Sequence, residues 1–408
     1  MKGIMKKPEL LAPAGNLEKL KVAIHYGADA VYLSGKSYGL RNFAGNFTIT
    51  QMEEGIKLAH RNGVKAYVTV NIFFRNKDME GLPDYLIHLR QLGVDAIIIS
   101  DPAVIALAKE LVPNIPIHLS TQANSTNWRS VQFWKDQGIS RVNLARELSL
   151  SEIEYIIKKV DVETEVFIHG AMCVSYSGRC LLSNYLTHRD SNRGECSQPC
   201  RWKYMLVEQS RPGVYLPIYE DDQGSYILSS RDLCLIEYIP DLIEARIDSF
   251  KIEGRMKGIN YVGNVVRVYR QAIDEYLSNP DKYEFRDEWL EELKKVSHRN
   301  YTTGFFYKES RGELQNYSSF SYTQSHDLVG VVREVLVENN VKVEIRNQLR
   351  VGDEVEFIGR SGEINRLILA NLRNNDEEEI KIAQPNQLVT LEVNFPTEIN
   401  DLIRKESK

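Results

Sequence analysis

The chain has 408 residues, 43% hydrophobic and 26% charged, with a formal net charge of -5. That is a globular composition, long enough for a full core and more than one domain. The acidic balance excludes wholesale coating of nucleic acid but leaves room for a local basic patch. No stretch reaches the roughly 18 apolar residues that span a bilayer. The opening MKGIMKKPELLAPAG has no apolar run of signal-peptide length, so a cytoplasmic address without membrane contact is expected.

Short apolar runs alternate with amphipathic stretches along the first two thirds of the chain. A strand at Glu9–Leu11 leads to a helix opening at Asn16 and stopped by Gly27. Strands at Ala30–Leu33, Ala66–Phe73, Ala96–Ile99, Pro116–Ser120 and Arg141–Ala145 are each followed by a helical pattern. The helices are expected at about 50–61, 85–91, 103–111, 128–137 and 151–159. Gly63, Gly93 and Gly138 stand just past three of them, where a left-handed residue is favoured. Glu165–His169 is the seventh strand and Phe250–Glu253 the eighth, with a long helix over Tyr261–Leu277. Eight strand–helix units predict a (β/α)8 TIM-like barrel, with an open doubly wound sheet as the alternative. About eighty residues separate strands seven and eight and end in an expected helix, Leu233–Ala245.

The predicted organisation is a barrel over residues 1–285, including a cysteine-bearing insertion at 170–230. A linker or helical segment follows at 286–326. Short strands with polar turns over 327–400 read as a small C-terminal β-barrel domain, with Asn339-Asn340 as a hairpin turn.

All five cysteines, Cys173, Cys180, Cys196, Cys200 and Cys234, fall in or beside the insertion. In a reducing compartment such a cluster points to metal binding or catalysis rather than disulfides. The spacing Cys173-x(6)-Cys180-x(15)-Cys196-x(3)-Cys200 lets four thiolates converge, and soft sulfur suits an iron–sulfur cluster or zinc. Structural zinc favours pairs two to four residues apart, which only Cys196 and Cys200 approach. Cys234 is either a buried apolar position or the fourth ligand in place of Cys200. Arg179, Arg193 and Arg201 are cations available to offset thiolate charge.

Polar residues follow the other expected strands. They are Asn71, Asp101, the trio Ser120, Gln122 and Asn124, the pair Arg146 and Glu147, then His169, and finally Glu253 and Arg255. Together they would ring the barrel mouth where catalytic groups gather. Arg146 and Arg255 are candidate clamps for a small anion, because guanidinium forks match carboxylates. His169 and Glu253 are candidates for proton transfer. The insertion interleaves Tyr176, Tyr185, Trp202 and Tyr204 with basic residues, Arg201 among them, a pattern suited to phosphate contact and base stacking. The alternative for each ring is packing against the barrel. No H-E-x-x-H helix is present.

The segment EVFIHGAMCVSYSGRCLLSNYLTHRDSNRGECSQPCRWKY resembles the signature of the collagenase-like peptidase family (family U, number thirty-two). PELLAPAGNLEKLKVAIHYGADAVYLSG, HLSTQANSTNW, LARELSL and SFKIEGRMKG match further blocks, so the resemblance spans essentially the whole chain. Within that family the chain looks most like the branch that hydroxylates tRNA. The resemblance implies 5-hydroxyuridine formation at the wobble position, a 4Fe-4S cluster and dependence on prephenate as co-substrate. It implies tRNA and a small anionic metabolite as partners, and a homo-oligomer or a heteromer with a shorter paralogue. The alternatives are a peptidase, hydroxylation of another RNA or a quinone precursor, or an RNA-binding subunit with a structural metal.

Overall fold

The computed structural model describes residues 6–41, 45–173, 179–202, 220–221, 224–225, 231–307, 322–337 and 339–407. Seven strands run parallel, each beside the next: β1 (Glu9–Pro13), β2 (Ala30–Leu33), β3 (Lys65–Val70), β4 (Ala96–Ile99), β5 (Ile117–Leu119), β6 (Arg141–Asn143) and β7 (Glu163–Ala171). After a short antiparallel pair, β8 (Glu220–Asp221) with β9 (Gly224–Ser225), come β10 (Asp232–Cys234) and β11 (Ser249–Ile252). Strand β11 lies parallel to both β7 and β1 and so closes an eight-stranded barrel. The expected (β/α)8 architecture is therefore present.

Helices follow the strands as the periodicity required: α1 (Leu17–His25), α2 (Ile49–Arg61), α3 (Leu82–Leu92), α4 (Pro102–Leu111), α5 (Trp128–Asp136) and α6 (Leu150–Lys159). Their ends carry local signals. Thr48 and Gln51 form a capping box on α2, and Asp101 caps α4 through the Ala103 and Val104 amides. Gly93 closes α3 at φ 71, a left-handed conformation in which a Cβ would be strained.

The insertion after β7 holds α7 (Leu182–Thr187). Its return differs from the helix expected at Leu233–Ala245. Residues 232–234 form β10, antiparallel to the extended end of β7, and only Ile239–Glu244 is helical, as α8. The reason is tertiary: β7 outruns its barrel neighbours, and β10 satisfies its exposed backbone groups.

Contacts divide the chain into two compact units. One comprises Met1–Leu20, Asp29–Met256 and His298–Tyr322, and ends with β12 (Tyr301–Thr302), parallel to β10. The other comprises Lys21–Ala28, Lys257–Ser297 and Thr323–Lys408. It contains α9 (Ile259–Ser278) and α10 (Asp287–Lys294). Its strands are β13 (His326–Val335), β14 (Asn340–Ile345), β15 (Leu349–Arg350), β16 (Glu354–Ile358), β17 (Ile364–Ile368), β18 (Ile382–Ala383), β19 (Leu388–Glu392) and β20 (Leu402–Glu406). Six of these form an antiparallel sheet in the order β17-β16-β20-β13-β14-β19, a half-barrel. Val329, Val343, Phe357, Leu391 and Ile403 make its apolar core. Asn339, at φ 61, makes the expected turn between β13 and β14. Arg404 is wholly buried here, held by Glu356 at 2.8 Å and Glu292 at 2.8 Å.

Candidate active site at the barrel mouth

The barrel interior is charged towards its N-terminal end. Alternation along the strands turns Glu9, Arg141, Glu165 and Lys251 inward. Arg141 bridges Glu9 at 2.5 Å and Glu163 at 2.9 Å, while Lys251 sits on Glu165 at 2.6 Å. Asn143 donates to the same Glu165 carboxylate at 2.8 Å, and the Lys251 ammonium lies 4.7 Å from the Tyr32 ring centre. Burial pushes Glu9 up, but Arg141 outweighs it and holds the carboxyl below its ordinary value. Burial, with Arg141 and Lys251 nearby, holds His118 well below its ordinary value, so it is neutral. A buried charge is tolerable only when paired and hydrogen-bonded, and each of these four is.

Above this layer lies the mouth. Arg255 is buried and donates to Thr69 Oγ1 at 3.1 Å, the Leu40 carbonyl at 2.5 Å and Asn46 Oδ1 at 2.7 Å. Its fork therefore ties the loop after β2 to β3. Burial pulls this guanidinium down to about 10, and it remains charged at neutral pH. Arg41 and Arg146 flank the Glu253 carboxylate at 3.7 and 3.8 Å. Arg146 also donates to the Ala171 carbonyl at 2.8 Å and lies 3.8 Å from the Phe167 ring centre. Burial raises Glu253, but Arg41, Arg146 and Arg255 more than offset it and hold the carboxyl below its ordinary value. Glu253 is thus an ionised carboxylate, fitted to accept rather than donate a proton. Three guanidiniums around one carboxylate leave this arc of the mouth cationic. Burial pushes Glu147 up.

A second group of side chains at the mouth is uncharged. Asn71 at the end of β3 reaches Ser120 at 3.5 Å, and Ser120 donates to Gln122 Oε1 at 3.1 Å. The Asn124 amide folds back on the Gln122 carbonyl at 2.9 Å. The loop is bound to its neighbour: Thr121 donates to the Leu144 carbonyl at 3.2 Å, and the Ala145 amide to the Ser125 carbonyl at 3.2 Å.

The cysteine insertion docks on the loop after β3. Arg193 forks Asp78 at 2.6 and 2.8 Å and donates to the Phe73 carbonyl at 2.7 Å. The Phe73 amide donates back to Asn192 at 2.9 Å. Hydrogen bonding to Arg193 holds Asp78 down at about 2. Ser191 and Asn192 both bond the Cys180 carbonyl, at 2.6 and 3.1 Å. None of the five thiols is in a disulfide; Cys173 is exposed, Cys180, Cys196 and Cys200 are half-buried, and Cys234 is buried. Glu253 beside Arg41 raises that guanidinium further, and Cys173 and Cys196 add to the effect, so both sulfurs lie within electrostatic range of the mouth. Cys234 stands on β10 opposite His169, and it adds to the burial that pushes Tyr301 up. His169 is buried, its ring 5.3 Å from that of Tyr301. As donors the thiols suit a soft metal. As placed they are not a ligand set: among the described residues no three His, Cys, Asp or Glu side chains are gathered closely enough to hold an ion.

Of the residues expected at the mouth, Asn71, Gln122, Asn124, Arg146, Glu253 and Arg255 do ring the C-terminal ends of the strands. Asp101 is spent as a helix cap. The Arg201 side chain, Tyr176 and Tyr204 lie outside the described residues. Tyr185 is 83% exposed and Trp202 43% exposed, so neither ring is buried against the barrel. Arg41 and Asn46 escaped the sequence reading because the loop after β2 shows no motif, and Thr69 because it sits inside the strand KAYVTV. The lumenal Lys251 was missed as well, although a lysine inside the apolar strand SFKI was a signal for it.

Barrel, cationic mouth and cysteine insertion together define a TIM-type protein with a thiol-rich segment after its seventh strand. The chain belongs to peptidase family U32: it matches that family over residues 15–316 and the family's C-terminal domain over 324–404. It is 46% identical over 404 residues to tRNA hydroxylation protein P1 of Bacillus subtilis, covering 98% of this chain and 96% of that one. It is 38% identical to tRNA hydroxylation protein P of Escherichia coli, covering 93% and 92%. A 23S rRNA 5-hydroxycytidine synthase of Escherichia coli is 32% identical, covering 92% of this chain and 58% of that one. Among the described residues no helix is long and apolar enough to cross a membrane.

Proposed function

We propose that this protein is an enzyme of RNA hydroxylation in the cytoplasm, acting on tRNA to form 5-hydroxyuridine at the wobble position. The observation that carries the reading is the two-sided mouth. Arg41 and Arg146 offer cations for a small anionic co-substrate such as prephenate, and uncharged amides beside them suit a nucleobase. End-to-end similarity to tRNA hydroxylation proteins supports the same reading. Arg146 and Arg41 would hold the anion, because the Arg255 fork is engaged by the loop after β2. Glu253, held ionised between Arg41 and Arg146, would be the group placed to accept a proton from the substrate.

We further propose that Cys173, Cys180 and Cys196, with Cys200 or Cys234 as fourth, bind a 4Fe-4S cluster. Such a cluster would supply redox or Lewis-acid chemistry. Iron and sulfide content after anaerobic purification, with Cys200→Ala and Cys234→Ala compared, tests this directly. One stoichiometric zinc and no iron would overturn it.

The functional test is nucleoside analysis of tRNA from cells lacking the gene and from cells complemented with it. Loss and restoration of 5-hydroxyuridine is the expected result. Unchanged 5-hydroxyuridine in cells with no paralogue would remove the assignment.

A further inference from the structure

The mouth contains a hydrogen-bond relay whose direction is fixed at one end by the backbone. The Leu40 amide donates to Asn71 Oδ1 at 3.3 Å, which leaves Asn71 Nδ2 as the end that faces Ser120 Oγ at 3.5 Å. A hydroxyl that accepts from an amide is free to donate onward, and Ser120 Oγ does so, to Gln122 Oε1 at 3.1 Å. The Gln122 carboxamide therefore has its oxygen engaged and its NH2 group turned the other way. That Nε2 is buried, in a side chain only 4% exposed, and has no partner among the described residues. Ser125 Oγ, in the same loop, is likewise buried and without a partner there. An unmet buried donor costs about 1–3 kcal/mol, and at a barrel mouth the group that relieves it is a ligand carrying an acceptor.

The surroundings say which acceptor. The cations of the mouth, Arg41, Arg146 and Arg255, cluster about Glu253. Asn71, Ser120, Gln122, Asn124 and Ser125 are all uncharged. A neutral donor held on a neutral arc suits the carbonyl of a nucleobase. A carboxylate would go to the guanidiniums.

We infer that Gln122 is a specificity-determining residue, presenting an N–H to the C4 carbonyl oxygen of a uracil and rejecting cytosine, whose C4 bears an amino group. The two pyrimidines are otherwise alike in shape and in the C5–H that is replaced. A donor facing a donor leaves both unpaired, and one such mismatch is worth about 1–3 kcal/mol, tenfold or more in affinity. The inference rests on the tRNA-uridine reading, and the test separates the two.

The measurement is the affinity of the full chain for anticodon stem-loop RNAs carrying uridine or cytidine at the wobble position, for the native protein, Gln122→Met and Gln122→Glu. Native protein is expected to prefer uridine at least tenfold. Gln122→Met, which removes the donor at similar volume, should erase the preference by weakening uridine alone. Gln122→Glu, which offers an acceptor, should bring the ratio to unity or reverse it. Thermal unfolding checks that both variants are folded. Variants that keep the native ratio, or that weaken both RNAs equally, would overturn the inference and make Gln122 a structural or water-binding group. A native protein that leaves cellular 5-hydroxyuridine unrestored sinks the underlying reading instead, whatever the variants do.

Discussion

Replacing Arg255 separates charge from geometry at the mouth. Its guanidinium makes three hydrogen bonds, to Thr69, Leu40 and Asn46, all buried or part-buried. Removing it with Arg255→Met leaves the Leu40 carbonyl and Asn46 Oδ1 without that donor. Taking these three bonds to neutral acceptors at the lower end of the charge-assisted range, about 1.5–2 kcal/mol each, the gross loss is roughly 4.5–6 kcal/mol. Against this stands the burial of the cation itself. A guanidinium pulled from 12.5 to about 10 carries a net penalty of roughly 3 kcal/mol in its charged form. Methionine relieves that penalty, so Arg255→Met should destabilise by only about 1–3 kcal/mol. Arg255→Lys keeps a buried charge but cannot fork, and so loses bonds without relief. The expectation is that lysine, the conservative change, is the less stable of the two. Urea unfolding followed by tryptophan fluorescence measures both. A lysine variant as stable as the native protein would refute the reasoning, because it would mean that the charge and not the fork holds the loop.

Glu356 makes the C-terminal unit acid-sensitive. Arg404 and Lys295 outweigh its burial and hold its carboxyl at about 2, against 4.5 ordinarily. A depressed folded value stabilises fully above the unfolded value, and the stability disappears as pH falls from about 5 towards 2. The loss is roughly 3 kcal/mol, visible as a falling Tm over that window and flattened by Glu356→Gln. Lys251→Met strips Glu165 of its 2.6 Å partner and leaves Arg141 at 3.6 Å. It should destabilise by about 3–5 kcal/mol in denaturant titration, most of it recovered by adding Glu165→Gln; no recovery would show that packing of the lysine stem matters more than charge. Arg193→Ala removes the fork on Asp78 and should release the insertion from the loop after β3. Amide exchange over 71–79 and 179–202 is expected to speed up about tenfold, a local loss near 1.4 kcal/mol, with exchange in the C-terminal sheet unchanged.

The barrel was legible in the sequence because each strand is short, apolar and bounded. Ala30–Leu33 and Ala96–Ile99 match their expected limits, and Gly93 stops its helix as a left-handed cap should. Strand β20 was not foreseen: LIRKE is apolar only at its start, and its Arg404 is buried because Glu356 and Glu292 meet it from other parts of the chain. Cys234 was read on a helix because it sits in the short apolar run LCLI, and such a run has no period of its own. The overhang of β7 makes its first residues a strand.

The sequence by itself determined the alternation of strand and helix, the ring of polar residues at the strand ends, and the concentration of cysteines after strand seven. All are encoded locally, in periodicity, caps and spacing. Only the tertiary structure decided how those polar residues are used. It committed Arg255 to the loop after β2, drew Arg41 from an unremarkable stretch to Glu253, and engaged the Gln122 carboxamide oxygen with Ser120. Those choices depend on which strand ends become neighbours when the barrel closes, and no local pattern carries that information.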